Sequence, residues 1–271
     1  MIDKGSIQLK KITAGLLLFL AGAFFVLPAS NEIVLVNGAW HGAWCWYRVT
    51  NILENSGYNV HPVELPGHGI DRNNPGGVDL QDYTNAVVST LESLSSQAVL
   101  AGHSMGGIVI SQAAEQLPAK VEKLVYISAF LPADGQTLQE LADQDTGSLV
   151  PGNMGVNSPR YEIYLTAGRA ELISMFYEYS PSMDVNLAET LLRTNPLVPF
   201  TQPVSITAEN YGNIYKVYVK TAQDRALTPY IQEVMLANTP CDRTFVLDTD
   251  HSPFFSKPEE LAAIIMEVAG Q

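Results

Sequence analysis

Six short apolar runs alternate with helical patterns along this chain, and that alternation leaves few folds open to its 271 residues. The runs are EIVLVN (32–37), YNVHPVEL (58–65), AVLAG (98–102), KLVYISAF (123–130), IYKVYVK (214–220) and RTFVLD (243–248). They are rich in β-branched residues and bounded by Gly, Pro or Asn, which marks strands. Helical patterns cover about 43–55, 81–94, 105–116, 229–237 and 258–269. The last opens with Pro258-Glu259-Glu260, which suits a first helical turn. Strands alternating with helices predict an α/β fold, a mostly parallel sheet covered by helices on both faces. The alternation breaks once, between 131 and 213, a stretch dense in Pro, Gly, Met and Tyr. It holds short helical patterns near 137–144, 170–178 and 184–193 and no convincing strand. A structureless loop of that length does not suit a compact domain. The expectation is an inserted helical cap (131–213) on a core formed by 30–130 and 214–271.

Composition narrows the partners. Hydrophobic residues make up 46% of the chain, enough for one large core. Asp and Glu number 28 against 15 Lys and Arg, a net charge of -13, and no basic run occurs beyond the N-terminus. A nucleic-acid partner is therefore not expected. Residues 1–29 read as a signal peptide: Lys4, Lys10 and Lys11, an uncharged apolar run from Ile12 to Leu27, then Ala29. The run is short for a membrane span. Leu27 is a poor fit to the cleavage rule, which leaves an uncleaved anchor or an N-terminal core helix as alternatives. Cleavage would remove one Asp and three Lys and leave a net charge of -15. Export to the periplasm or medium would permit a disulfide. Two cysteines, Cys45 and Cys241, do not make a framework. No Cys/His spacing suggests a metal site, and no cofactor is called for.

The stretch LAGHSMGGIVI (100–110) carries the chemistry. G-x-S-x-G alone is weak, arising by accident in roughly one chain in ten of this length. Here Ser104 falls between an apolar strand and a good helix, the setting in which the motif lifts a serine hydroxyl above the carboxyl edge of a sheet. A serine needs a base oriented by a carboxylate, in the chain order Ser, acid, His. The one histidine downstream of Ser104 is His251, in the loop LDTDHSPF beyond a strand. Asp224 lies just past the strand before it, in TAQDRALTP. Asp248 and Asp250 are the rival acids, and Asp250 is too close in sequence to face its neighbour. His68 and His103 are expected to be structural, and His41 either packs under the loop after the first strand or lines the pocket. An oxyanion would be met by the backbone amides of Met105 and Ala39, with Gly38 allowing close approach and Trp40 beside the substrate.

Together VNGAWHGAWCWY, GHSMGG, AQDRALTP and DHSPFFSKPEEL resemble the α/β-hydrolase superfamily, in the branch of plant methyl esterases, hydroxynitrile lyases and their bacterial relatives. The resemblance runs over about 32–270. It implies a cofactor-free enzyme with Ser104, Asp224 and His251 as a triad, and a pocket roofed by the cap. Lyases of that branch carry Thr and Lys where this chain has Gly38 and Ser252. Serine cannot supply a cation to departing cyanide, so an esterase acting on a small apolar ester is expected. A lactonase, amidase, carbon–carbon hydrolase or non-catalytic ligand binder would use the same scaffold. The branch's usual His before the glycine is Asn37 here, with consequences for the loop's hydrogen bonds.

Overall fold

The computed structural model describes Met1, residues 31–71 and residues 75–270. The expected leader at 1–29 lies outside the described residues, apart from Met1. Walking the chain, the core opens with β1 (Glu32–Val36), α1 (Tyr47–Asn55), β2 (Asn59–Val63), α2 (Leu80–Ser93), β3 (Ala98–His103), α3 (Gly106–Gln116) and β4 (Val121–Ile127). The insertion follows, with α4 (Leu138–Ala142), β5 (Met154–Asn157), β6 (Glu162–Leu165), α5 (Arg169–Leu172), α6 (Ser182–Leu191), β7 (Asn195–Pro196) and α7 (Val198–Thr201). The core resumes with β8 (Tyr215–Thr221), α8 (Pro229–Asn238), β9 (Arg243–Leu247), α9 (Pro253–Ser256) and α10 (Pro258–Ala269). All six predicted strands form.

They make one sheet in the order β2-β1-β3-β4-β8-β9, parallel at every pairing. Strand β3 is buried along its whole length, whereas the edge strand β9 alternates half-buried with exposed residues. That is the contrast expected between a strand covered on both faces and one at the rim. Helix α1 packs against α10, and α2 against α3. The chain leaves β1 for β2 on one side and returns to β3 on the other, so the loops after β1 and β3 diverge. Such a switch point is where open α/β sheets bind ligands.

The insertion holds the three expected helical segments, and the middle one continues from α5 into a π-helical turn over Ile173–Tyr177. It also contains three strands that the sequence reading did not anticipate: β5, β6 and β7 form an antiparallel sheet. They are two to four residues long, and β7 is Asn-Pro. Runs that short carry too little alternation to stand out. Residues 204–213 leave the cap and lie along α3, where the Glu115 carboxylate accepts from the Thr207 and Tyr211 amides.

Candidate active site

Ser104 stands where β3 turns into α3, with φ at +53°, a conformation rare for a residue with a side chain. Its own amide donates to the Ile127 carbonyl, and its carbonyl accepts from Phe130 at 3.0 Å, so the end of β4 holds the turn. Strain of this kind costs about 1–3 kcal/mol and persists only when the surroundings over-determine it. Glycines make the turn possible. A Cβ on Gly106 would sit 2.9 Å from the carbonyl oxygens of Val36 and Asn37, and one on Gly107 only 2.0 Å from the Phe130 oxygen. A Cβ on Gly38 would sit 2.7 Å from the Ser104 Cβ, which is the close approach expected of that residue.

Ser104 and His251 line one cavity of about 720 Å³ including its mouth. Behind His251 lies Asp224, buried, with its Oδ2 2.7 Å from Nδ1. The same oxygen accepts from the Thr221 hydroxyl, and Oδ1 accepts from the amides of Ala226 and Leu227, each at 2.8 Å. The two amides are backbone donors that cannot turn away, so the carboxylate has one orientation. A carboxylate accepts only, so Nδ1 of His251 carries a proton and, in the neutral ring, Nε2 is left as the acceptor. The rival acids are occupied elsewhere: Asp248 accepts from the exposed Gln223, and Asp250 from the amides of Tyr179 and Ser252 and the Ser256 hydroxyl. Burial pushes the Asp250 carboxyl above its ordinary range. Asp250 thereby ties the cap to the loop of His251.

Ala39 and Met105 border the same cavity. Among the described residues, neither of their amides donates to a protein group. Trp40 lines the cavity too, as expected, and is also left-handed at φ +61°. His41 is not in the lining. Its Nδ1 donates to the Ala39 carbonyl at 2.8 Å, leaving Nε2 to accept from the Tyr177 hydroxyl at 2.6 Å. His68 donates from Nδ1 to the His41 carbonyl and accepts from Tyr83. His103 donates from Nε2 to the His251 carbonyl at 2.8 Å. Asn37 donates to the carbonyls of Gly38 and His41, so it braces the loop in place of the branch's histidine. Cys45 and Cys241 are free thiols.

The three structural histidines share an electrostatic consequence. Burial holds His41 and His68 down to about 4 and drives His103 well below the ordinary imidazole range. The folded protein keeps these rings neutral, whereas the unfolded chain protonates them near pH 6.5. Stability is therefore full above about pH 6.5 and falls on acidification toward pH 4, by up to about 1.4 kcal/mol per pH unit for each ring. Glu64 and Asp250, raised by burial, act in the opposite direction. Thermal unfolding followed from pH 8 to 4.5 should show the midpoint dropping below pH 6.5. A flat profile would contradict neutral burial of these rings.

The walls of the cavity are mostly apolar, including Phe130, Leu138, Val150, Phe176, Phe200 and Leu227. Gln139, Asp143, Asp145 and Ser148 supply polar groups, and among the described residues no lysine or arginine lines it. From the cap's Met and aromatic residues, Met154, Phe176 and Phe200 reach the cavity. Met175 and Tyr177 are buried without lining it, and Tyr179 and Met183 are exposed. Sequence reasoning missed Thr221 and Asn195. Thr221 stands three residues before Asp224 and was findable by spacing. Asn195 lies in the cap with no pattern around it.

Comparison with known proteins agrees with this geometry. The pattern described as "Alpha/beta hydrolase family" matches residues 33–264. The chain is 35% identical over 255 residues to "Putative methylesterase 13, chloroplastic" of Arabidopsis thaliana, covering 89% of this chain and 56% of that relative's length. It is 33% identical to "Methylesterase 9" of the same plant, covering 88% of this chain and 98% of the relative. The crystal structure of the Arabidopsis methylesterase MES16 superposes with a TM-score of 0.75 at 29% identity, over 88% of this chain and 98% of that one.

Proposed function

Since this chain belongs to the alpha/beta hydrolase family, we propose that it is a serine carboxylic-ester hydrolase acting on small neutral esters. One arrangement carries the reading: the buried His251–Asp224 pair opens onto the cavity that Ser104, Ala39 and Met105 line. Ser104 is the nucleophile. Nε2 of His251 takes its proton as Oγ attacks the ester carbonyl, and the Asp224 carboxylate stabilises the imidazolium that forms. The amides of Ala39 and Met105 receive the oxyanion. His251 then protonates the departing alcohol, and water, deprotonated by the same ring, releases the acid from Ser104. His103, held neutral, adds no repulsion to this imidazolium.

The lining supports the substrate class. Apolar walls suit a hydrophobic acyl group, and the names of the relatives point to methyl esters. Asp143 and Asp145 disfavour an anionic substrate and repel the carboxylate product, which assists its release. Among the described residues no lysine or arginine stands in this cavity to receive a departing cyanide, which argues against a lyase.

A fluorophosphonate probe tests the proposal directly, because it labels only an activated serine. The parent protein should be labelled and should hydrolyse short p-nitrophenyl esters. In Ser104→Ala the labelling should vanish and turnover should fall by about 10³-fold or more. Equal turnover by the two proteins would refute it. A panel of esters, lactones and amides distinguishes an esterase from other hydrolases that use the same groups.

A further inference from the structure

The cap supplies a residue that hydrogen-bonds the peptide following Ala39 and touches the side chain of Met105. Asn195, in β7, is fully buried. Its Oδ1 accepts from the Trp40 amide at 3.2 Å. Its Nδ2 donates to the Pro196 carbonyl at 2.7 Å and lies 3.9 Å from the sulfur of Met105. Two residues earlier, the Arg193 amide donates to the Trp40 carbonyl at 3.1 Å. Both backbone polar groups of Trp40 are thus taken up by one cap segment.

The peptide unit between Ala39 and Trp40 is consequently pinned at both ends. Its carbonyl accepts from His41 and its N–H donates to Asn195. This unit directly follows the Ala39 amide, so fixing its plane limits the directions in which that amide can point. Left unheld, Trp40 would relax from its left-handed φ, because a bulky residue gains by leaving that region. A burial this complete for an asparagine also demands that its polar groups be used.

We propose that Asn195 is a positioning residue that sets the Ala39 amide against the Met105 amide, making the oxyanion hole depend on the docked cap. The inference rests on the hydrolase reading and deepens it. Asn195 does not touch the substrate. Its contribution appears as the tetrahedral state forms, since only then does the oxygen carry the charge that the amides must meet.

The test uses the full-length protein with a p-nitrophenyl ester, a trifluoromethyl ketone that forms a tetrahedral adduct, and the matching methyl ketone. In Asn195→Ala, kcat should fall about tenfold to hundredfold with KM within about threefold, less than the loss of a whole donor. Inhibition by the trifluoromethyl ketone should weaken by the same factor while the methyl ketone is unaffected. Asn195→Asp fills the same space and gives the answer should the alanine variant not fold. Its kcat relative to the parent should be low at pH 8 and rise on acidification, because a protonated carboxyl reproduces the amide's acceptor and donor. Parent-like kcat in either variant would overturn the proposal. So would equal weakening of both ketones, which signals a deformed cavity rather than a misdirected amide. A parent protein that neither hydrolyses esters nor takes the fluorophosphonate would instead sink the hydrolase reading itself.

Discussion

Replacing Asp224 with asparagine is expected to lower kcat by about 10⁴-fold while leaving KM and the fold nearly unchanged. The reason lies in the donors around the carboxylate. The amides of Ala226 and Leu227 cannot turn away from Oδ1, so the asparagine must place its oxygen there. Its Nδ2 then points at Nδ1 of His251 and donates to it. That forces the proton of the neutral ring onto Nε2, where no proton can be accepted from Ser104. The side chains are nearly the same size, and the Thr221 hydroxyl can rotate to accept instead of donate. Steady-state kinetics together with thermal unfolding would check both halves of the expectation. An asparagine variant within tenfold of the parent would mean that the carboxylate does not fix the tautomer of His251.

The second large effect concerns stability. Gly107→Ala puts a Cβ 2.0 Å from the Phe130 carbonyl oxygen, a backbone atom that has no rotamer by which to retreat. Either α3 or the segment after β4 must shift. The cost is about 3 kcal/mol, at the upper end for overpacking. For a domain of this size, that corresponds to a fall in Tm of about 6–12 °C. Because the Phe130 amide also holds the Ser104 carbonyl, labelling of Ser104 by the fluorophosphonate should slow in the same variant. A Tm within two degrees of the parent's would show that the contact is soft.

The core was legible because its signals are local and repeated. AVLAG followed by GGIVISQAAEQ changes from strand to helix across Ser104, and both glycines of the pentapeptide, Gly102 and Gly106, are ones that the turn uses. Asp224 could be named from its place after β8, and the structure joins it to His251, with both rival aspartates occupied elsewhere. Much of the cap was opaque. β5 contains Gly155 and ends at Asn157, and β7 is two residues long, so neither displays the alternation by which strands are read. Tyr177 and Asn195 were opaque for a different reason. Their roles arise from contacts spanning 136 and 155 residues of chain, and no spacing rule reaches that far. Tyr177 spends its hydroxyl on His41, beneath the loop.

Several attachments fasten the cap to the core, among them Tyr177 to His41, Asn195 to Trp40, the Tyr179 amide to Asp250, and Asp184 to Arg48 and Tyr47. The exposed members of the lining, Asp143 and Pro151, lie instead on the stretch between α4 and β5. That flank is itself tied to the loop of Asp224: the Leu149 amide donates to the Arg225 carbonyl, the Ser148 hydroxyl to the Ala226 carbonyl and the Thr228 amide to Asp145. Ala226 in turn donates to Asp224, so a change at the mouth reaches the carboxylate behind His251. On this scaffold, what is admitted and how fast it reacts are coupled traits.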